Sequence, residues 1–190
     1  MRIKWFSLIR ITGLLLVLLY HFFQTIFPGG FFGVDVFFTF SGFLITSLLL
    51  EEFGKARQID LLGFFKRRFY RIVPPVVLMV LVTMPFTFLV RQDYVAGIGG
   101  QVAGVLGFMT NFYEMLTGGS YESQFIPHLF VHNWSLAVEV HYYILWGLAV
   151  WFLSKRSKSS SQLRGMVFLL SAGAFIISFF SMFIGSLMAS

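Results

Sequence analysis

A chain of 190 residues that is 57% hydrophobic and only 12% charged has too few polar groups to cover a water-facing surface. Its mean hydropathy of +0.82 excludes an ordinary soluble domain, and it excludes disorder, since so apolar a chain is driven to bury itself. The absence of cysteine removes disulfides, thiolate catalysis and Cys-ligated metals, and the net charge of +6 reads as the Lys/Arg flanks of membrane helices rather than a nucleic-acid surface.

The fold class that follows is all-α, a polytopic integral membrane helix bundle of about five transmembrane helices, with a sixth left open. A span needs about 20 mostly apolar residues to cross about 30 Å of hydrocarbon. Segments 8–27, 31–50, 72–90, 134–153 and 165–189 meet that demand. The first is a retained helix rather than a cleaved leader: its apolar run is long, it contains Arg10 and His21, and no Ala-x-Ala-like site follows. Segment 95–116 is ambiguous. Gly97, Gly100, Gly104 and Gly107 would line one helix face and favour close packing in lipid, yet the stretch is less apolar and reads equally as re-entrant or interfacial.

Positive charge arbitrates. Arg2, Lys4 and Arg10 lie at the N-terminus, six Lys/Arg from Lys55 to Arg71 lie in the second linker, and Lys155, Arg156, Lys158 and Arg164 lie in the last. All three groups are expected on the cytoplasmic side, which works for five crossings with 95–133 wholly outside. The chain stops directly after an apolar run, so it is expected to be part of a longer membrane protein.

Ionisable groups inside spans are functional candidates by default. Arg10 and His21 are eleven positions apart, within about 20° of three full turns, so they share a helix face about 16 Å apart. Arg10 taken alone reads as a snorkelling flank and His21 alone as a buried histidine bridging helices; their shared face favours a joint pathway, with His21 expected near mid-membrane. Asp35 stands near the outer end of the second span, where orienting His21 and capping the helix are evenly matched roles. Ser41 and Gly42 interrupt that span, and Asp35, His21 and Ser41 make only a weak Ser/His/Asp list without geometry. In LLGFFKRRFYRIVPP, Arg68 and Arg71 are helix neighbours, with Arg67 and Lys66 extending the patch. Spacing favours an interfacial helix on anionic lipid over a phosphate site, and puts Pro74 and Pro75 at the start of the third span. The last cluster, IPHLFVHNWSLAVEVHYYILW, gathers His128, His132 and His141 near Glu139 without a metal-binding spacing such as HExxH. Glu139 lies inside an apolar helix and needs a partner.

Taken in order, Arg10 to His21, the GFFGVDVFFTFSGFLIT block, the Arg68/Arg71 pair leading into RIVPP, and HNWSLAVEVHYYILW resemble the membrane acyltransferase-3 family. Within that family the chain is most similar to the Gram-positive peptidoglycan O-acetyltransferases. The resemblance covers about residues 6–150 and makes 1–190 the N-terminal portion of a membrane acyltransferase domain.

The resemblance implies a multi-pass enzyme of the plasma membrane, N-terminus cytoplasmic. It would take an acyl group, usually acetyl, from cytoplasmic acetyl-CoA or another acyl-CoA and pass it to a cell-surface carbohydrate, peptidoglycan first among them. It makes Arg10 and His21 the catalytic pair and puts Arg68 and Arg71, with Arg67 beside them, where the CoA phosphates arrive. Asp35 and Glu139 match charged positions of the family blocks, and no metal or nucleic acid is expected. Two departures stand out: Val140 occupies the place of a common second acidic residue, and the family has about twice as many spans, some members continuing into an extracellular SGNH-type domain. A transporter or proton-coupled carrier fragment, and a non-catalytic membrane anchor, are the rival readings.

Overall fold

The computed structural model describes residues 4–23, 25–90, 97–117 and 128–189. Among them there is no strand. Helix α1 runs Lys4–Phe22, α2 Phe32–Ala56, α3 Leu61–Val90, α4 Ile98–Leu106, α5 Thr110–Thr117, α6 Trp134–Arg156 and α7 Ser160–Ala189, with short 3-10 turns at Pro28–Phe31 and Val131–Asn133.

Four helical stretches are long and apolar enough to cross a membrane, Pro28–Ala56, Leu61–Thr87, Val131–Arg156 and Ser160–Met188, and a shorter apolar helix, Ile11–Phe22, precedes them. The polytopic bundle expected from composition is therefore formed, but the first apolar segment stops sooner than 27. The chain leaves α1 at Phe22 and turns, with the Ile26 and Phe27 amides donating to the Phe23 carbonyl. Pro28 disfavours helical geometry in the residue before it, and Phe27 is non-helical, with φ −122° and ψ 58°.

Segment 95–116 does not form a sixth span. It breaks into α4, 9 residues, and α5, 8 residues, at Phe108, which adopts a left-handed φ of 54°. At about 1.5 Å per residue neither reaches half-way across the hydrocarbon. The glycine face of α4 serves a local partner: a Cβ on Gly100 would stand 2.9 Å from the Tyr113 ring of α5.

A second difference concerns α3. The basic stretch and the third span are one 30-residue helix with Pro74, Pro75 and Pro85 inside it, not a surface helix followed by a span that begins at the prolines. Each proline removes one i→i−4 bond. The apolar side chains on either side still pack as one face: Ile72, Val76 and Val80 meet Val105, Phe130 and Leu136.

Helices α1 and α2 form a tight hairpin. Gly33 lies against the Gly13 carbonyl and Val17, leaving no room for a side chain. One buried stripe on α2, Ile45–Leu49–Phe53, joins Phe64 of α3, Tyr143 and Val150 of α6, and Leu163 and Val167 of α7 in the main core. That core brings the 51–71 and 154–164 linkers to the same end of the bundle, as five crossings require. The outward faces are bare hydrocarbon: Leu78, Leu81, Leu89, Phe168, Phe175 and Ile177 are all more than 60% exposed, as expected where the surrounding solvent is lipid tails.

Candidate functional site

Glu139 finds its partners across the bundle. It lies on the second turn of α6, and one oxygen, Oε1, accepts hydrogen bonds from Ser41 Oγ on α2 and from Tyr143 OH one turn further along α6. Ser41 continues the inward stripe of Ile45, Leu49 and Phe53 at four-residue steps, which is why a serine in an apolar helix points at α6 rather than at lipid. Ser41 is only 2% exposed and Tyr143 7%, so water does not take the place of this carboxylate at either hydroxyl.

Arg68 and Arg71 enter the same space from α3. Together with Glu139, Tyr143, Phe37 and Leu136 they line a cavity of about 320 Å³. Arg68 lies seven residues into α3 and Arg71 ten, so they stand about 10 and 15 Å from the helix start. The expectation of a purely interfacial basic helix is corrected on this point: Arg68 is half-buried, its guanidinium stands 5.9 Å from the Phe64 ring, and its face of α3 turns inward because Ile72 and Val76 lie on it. Arg67, one position and about 100° round the helix, is exposed and bridges to Glu52 at 2.9 Å. It borders, with Arg68, Lys55 and Glu52, a separate hollow of about 390 Å³ at the basic end. Arg68 thus lies on the walls of both the end hollow and the inner cavity.

Beyond Glu139, on the side of α2 and α7, is a larger apolar cavity of about 650 Å³ that reaches Thr46, Tyr142 and Trp146. Trp146 Nε1 donates to Thr46 Oγ1 at 2.8 Å, and the Tyr142 and Trp146 rings stack at 5.7 Å.

His21 stands elsewhere. It is exposed in the last turn of α1, one residue from the helix end, not at mid-helix. Its Nδ1 is 2.8 Å from the Val17 carbonyl oxygen. A carbonyl only accepts, so Nδ1 carries the proton in the neutral ring and Nε2 keeps its lone pair. The His132 ring, from the turn before α6, lies edge-on to it with centroids 4.7 Å apart. His132 precedes Glu139 by seven residues, which sets the two-histidine end about 10 Å from the Glu139 network along α6. Pairing across 111 positions of sequence is a tertiary fact that no local spacing announces.

The remaining candidates separate. Arg10 belongs to α1, but its side chain lies outside the described residues. Asp35 is exposed in the first turn of α2; it is two residues, about 200°, from Gly33, which faces α1, so it points away from that helix. It makes neither a capping bond nor, among the described residues, an ion pair with His21. The histidine cluster also disperses: His141 packs on Phe112 with ring centroids 5.6 Å apart, and His128 pairs with Glu114 of α5 at 2.6 Å, both side chains being largely buried. No motif signalled Glu114; an acid in a short amphipathic stretch of otherwise apolar sequence was the one sign available.

The profile of the acyltransferase domain family Acyl_transf_3 matches residues 3–189. The chain belongs to that family. Among curated proteins, the O-acetyltransferase OatA of Staphylococcus aureus strain NCTC 8325 / PS 47 is 33% identical over 174 residues, covering 90% of this chain and 29% of that relative. The same identity and coverage hold for OatA of strain MRSA252. A putative O-acetyltransferase of S. aureus strain COL is 34% identical over 136 residues, 72% of this chain and 22% of the relative. The chain therefore spans less than a third of the length of these family members. No solved structure matches it.

Proposed function

We propose that the whole protein is a membrane O-acyltransferase that moves an acetyl or other short acyl group from cytoplasmic acyl-CoA to a cell-surface carbohydrate, peptidoglycan being the acceptor that the relatives suggest. The observation that carries this is the placing of Arg68, half-buried, and Arg71, exposed, on the wall of a cavity shared with Glu139 and Tyr143 within an apolar bundle. Two guanidiniums facing one carboxylate leave a net positive charge there, which suits the phosphates of a polyanionic donor that cannot itself cross lipid. The family match favours a transferase over the carrier and anchor readings.

In this reading the basic linkers and the N-terminus face the cytoplasm, following the positive-inside rule. The donor's phosphates sit by Arg68 and Arg71, and its thioester lies further along the bundle toward His21. Nε2 of His21 takes the proton of the acceptor hydroxyl as the hydroxyl oxygen attacks the thioester carbonyl. Collapse of the adduct breaks the C–S bond, and the imidazolium gives its proton to the departing thiolate. An ester and a thiol form, and the imidazole is neutral again. A placed base of this kind contributes roughly 10²–10⁴-fold in rate. Arg10 anchors the donor or offsets the developing negative charge, Asp35 and Glu139 serve as the charged groups of the family blocks, and an extracellular SGNH-type domain completing the transfer belongs to the same proposal.

The test uses the full-length protein in membrane vesicles with radiolabelled acetyl-CoA and a glycan acceptor, reading alkali-labile label on the sugar. His21→Ala should lower transfer by roughly 10²–10⁴-fold, leaving a measurable residue, without lowering the amount of membrane-inserted protein. Normal turnover by His21→Ala removes the catalytic assignment, and no transfer from any acyl-CoA by the unaltered protein removes the donor.

A further inference from the structure

We propose that His132 is a positioning residue for His21, its ring edge holding the His21 imidazole so that Nε2 faces the reacting hydroxyl. The proposal rests on the transferase reading above. His21 occupies the last turn of α1, is exposed, and its Nδ1 bonds to a Val17 carbonyl that also accepts the His21 backbone amide within the helix. The χ2 torsion of an imidazole has broad, roughly two-fold minima, so a ring contact from a separate element bears directly on its orientation, and His132 supplies such a contact.

The contact is edge to face: the centroids are 4.7 Å apart and the planes 80° apart, inside the range that aromatic pairs favour. Tyr20 meets the same ring at 5.4 Å and 90°, but it neighbours His21 on the same helix and moves with it. His132 comes from a different element, and that element is fixed. Phe130 is 2% exposed, its amide donates to Gln101 Oε1 at 3.3 Å, and its carbonyl accepts from Asn133 Nδ2 at 3.3 Å. The Val131–Asn133 turn is thus tied to α4 through Phe130 directly before it, closed on itself by Asn133, and followed directly by Trp134 at the start of α6. Holding a reacting group in place is where such a residue acts, because a misplacement of about 1 Å can cost 10²-fold in rate.

The experiment is a double-mutant cycle in the full-length protein in membranes, with kcat and donor KM measured and normalised to inserted protein. His132→Ala should lower kcat between about 10- and 100-fold with KM within about twofold, because the phosphate end of the donor is untouched. His132→Phe, which keeps the ring edge, should stay within about threefold of the unaltered kcat. His132→Gln, of similar bulk without a ring, should fall with the alanine variant and serves in its place if that one does not accumulate. In a His21→Ala background, His132→Ala should lower kcat no further, since a residue acting through His21 has nothing left to act on. An unaltered kcat for His132→Ala and His132→Gln overturns the proposal, as does a phenylalanine variant as slow as alanine or an additive double variant. Each of these leaves the transferase reading and the role of His21 standing, whereas normal turnover by His21→Ala alone would remove the catalytic assignment of His21 instead.

Discussion

Replacing Glu139 separates what its carboxylate does for the fold from what its charge does for the cavity. Glu139→Ala leaves the Ser41 and Tyr143 hydroxyls without their acceptor, and both are almost wholly buried. Side-chain hydrogen bonds between membrane helices average about 0.6 kcal/mol and reach about 1.7 kcal/mol. Two such bonds give about 1–3 kcal/mol, or roughly 5- to 150-fold in the unfolding equilibrium. Glu139→Gln keeps a carbonyl oxygen where Oε1 stands, so it can still accept from both hydroxyls while removing the charge, and it should cost under about 1 kcal/mol. The assay is equilibrium unfolding of the full-length protein in mixed micelles titrated with a denaturing detergent. Equal midpoints for the alanine and glutamine variants would refute the idea that this acceptor fastens α2 to α6.

Three other outcomes follow from the geometry. Arg68→Ala and Arg71→Ala should each raise the donor KM tenfold or more, as expected for loss of a charge-assisted contact of about 1.5–3 kcal/mol; Arg67→Ala should change it little, since an exposed pair such as Arg67–Glu52 contributes under about 1 kcal/mol. Removing the hydrogen-bond partner of buried Glu114 by His128→Ala should cost about 1–3 kcal/mol, visible as faster proteolysis around α4 and α5 and as reduced inserted protein. Gly33→Val should destabilise the α1–α2 hairpin by about 1–3 kcal/mol through overpacking against Gly13 and Val17, whereas Gly54→Ala, with nothing within 4 Å of the added carbon, should be tolerated in the same unfolding assay.

How much of this was legible depends on the reach of each signal. Apolar runs of span length report on solvent, so α2, α6 and α7 follow from the sequence with edges a few residues off, whereas α3 ends at Val90 as expected but starts at Leu61, well before the expected 72. The ends of α1 and the break in segment 95–116 depend on local backbone geometry, at Pro28 and at the left-handed Phe108, and hydropathy carries neither. The prolines misled in the opposite direction: Pro74 and Pro75 look like a helix start, yet flanking apolar residues hold the helix through them. For the candidate site, a lone carboxylate in an apolar helix correctly announced a partner for Glu139, but which hydroxyls would meet it depended on how α2 turns against α6. The face shared by Arg68 and Arg71 followed from three-residue spacing; that it turns inward rather than onto lipid is decided by Ile72 and Val76 beside it. The His21–His132 contact was beyond any local rule.

Helix α3 keeps its course past two consecutive residues that donate no amide proton. The carbonyls of Tyr70 and Arg71, which would have met those protons, are released from the ladder. Arg71 and Pro75 both border the inner cavity, so the stretch of α3 whose backbone ladder is interrupted is the same stretch that walls the inner cavity, and the protein has put its least self-sufficient backbone beside the space left for a ligand.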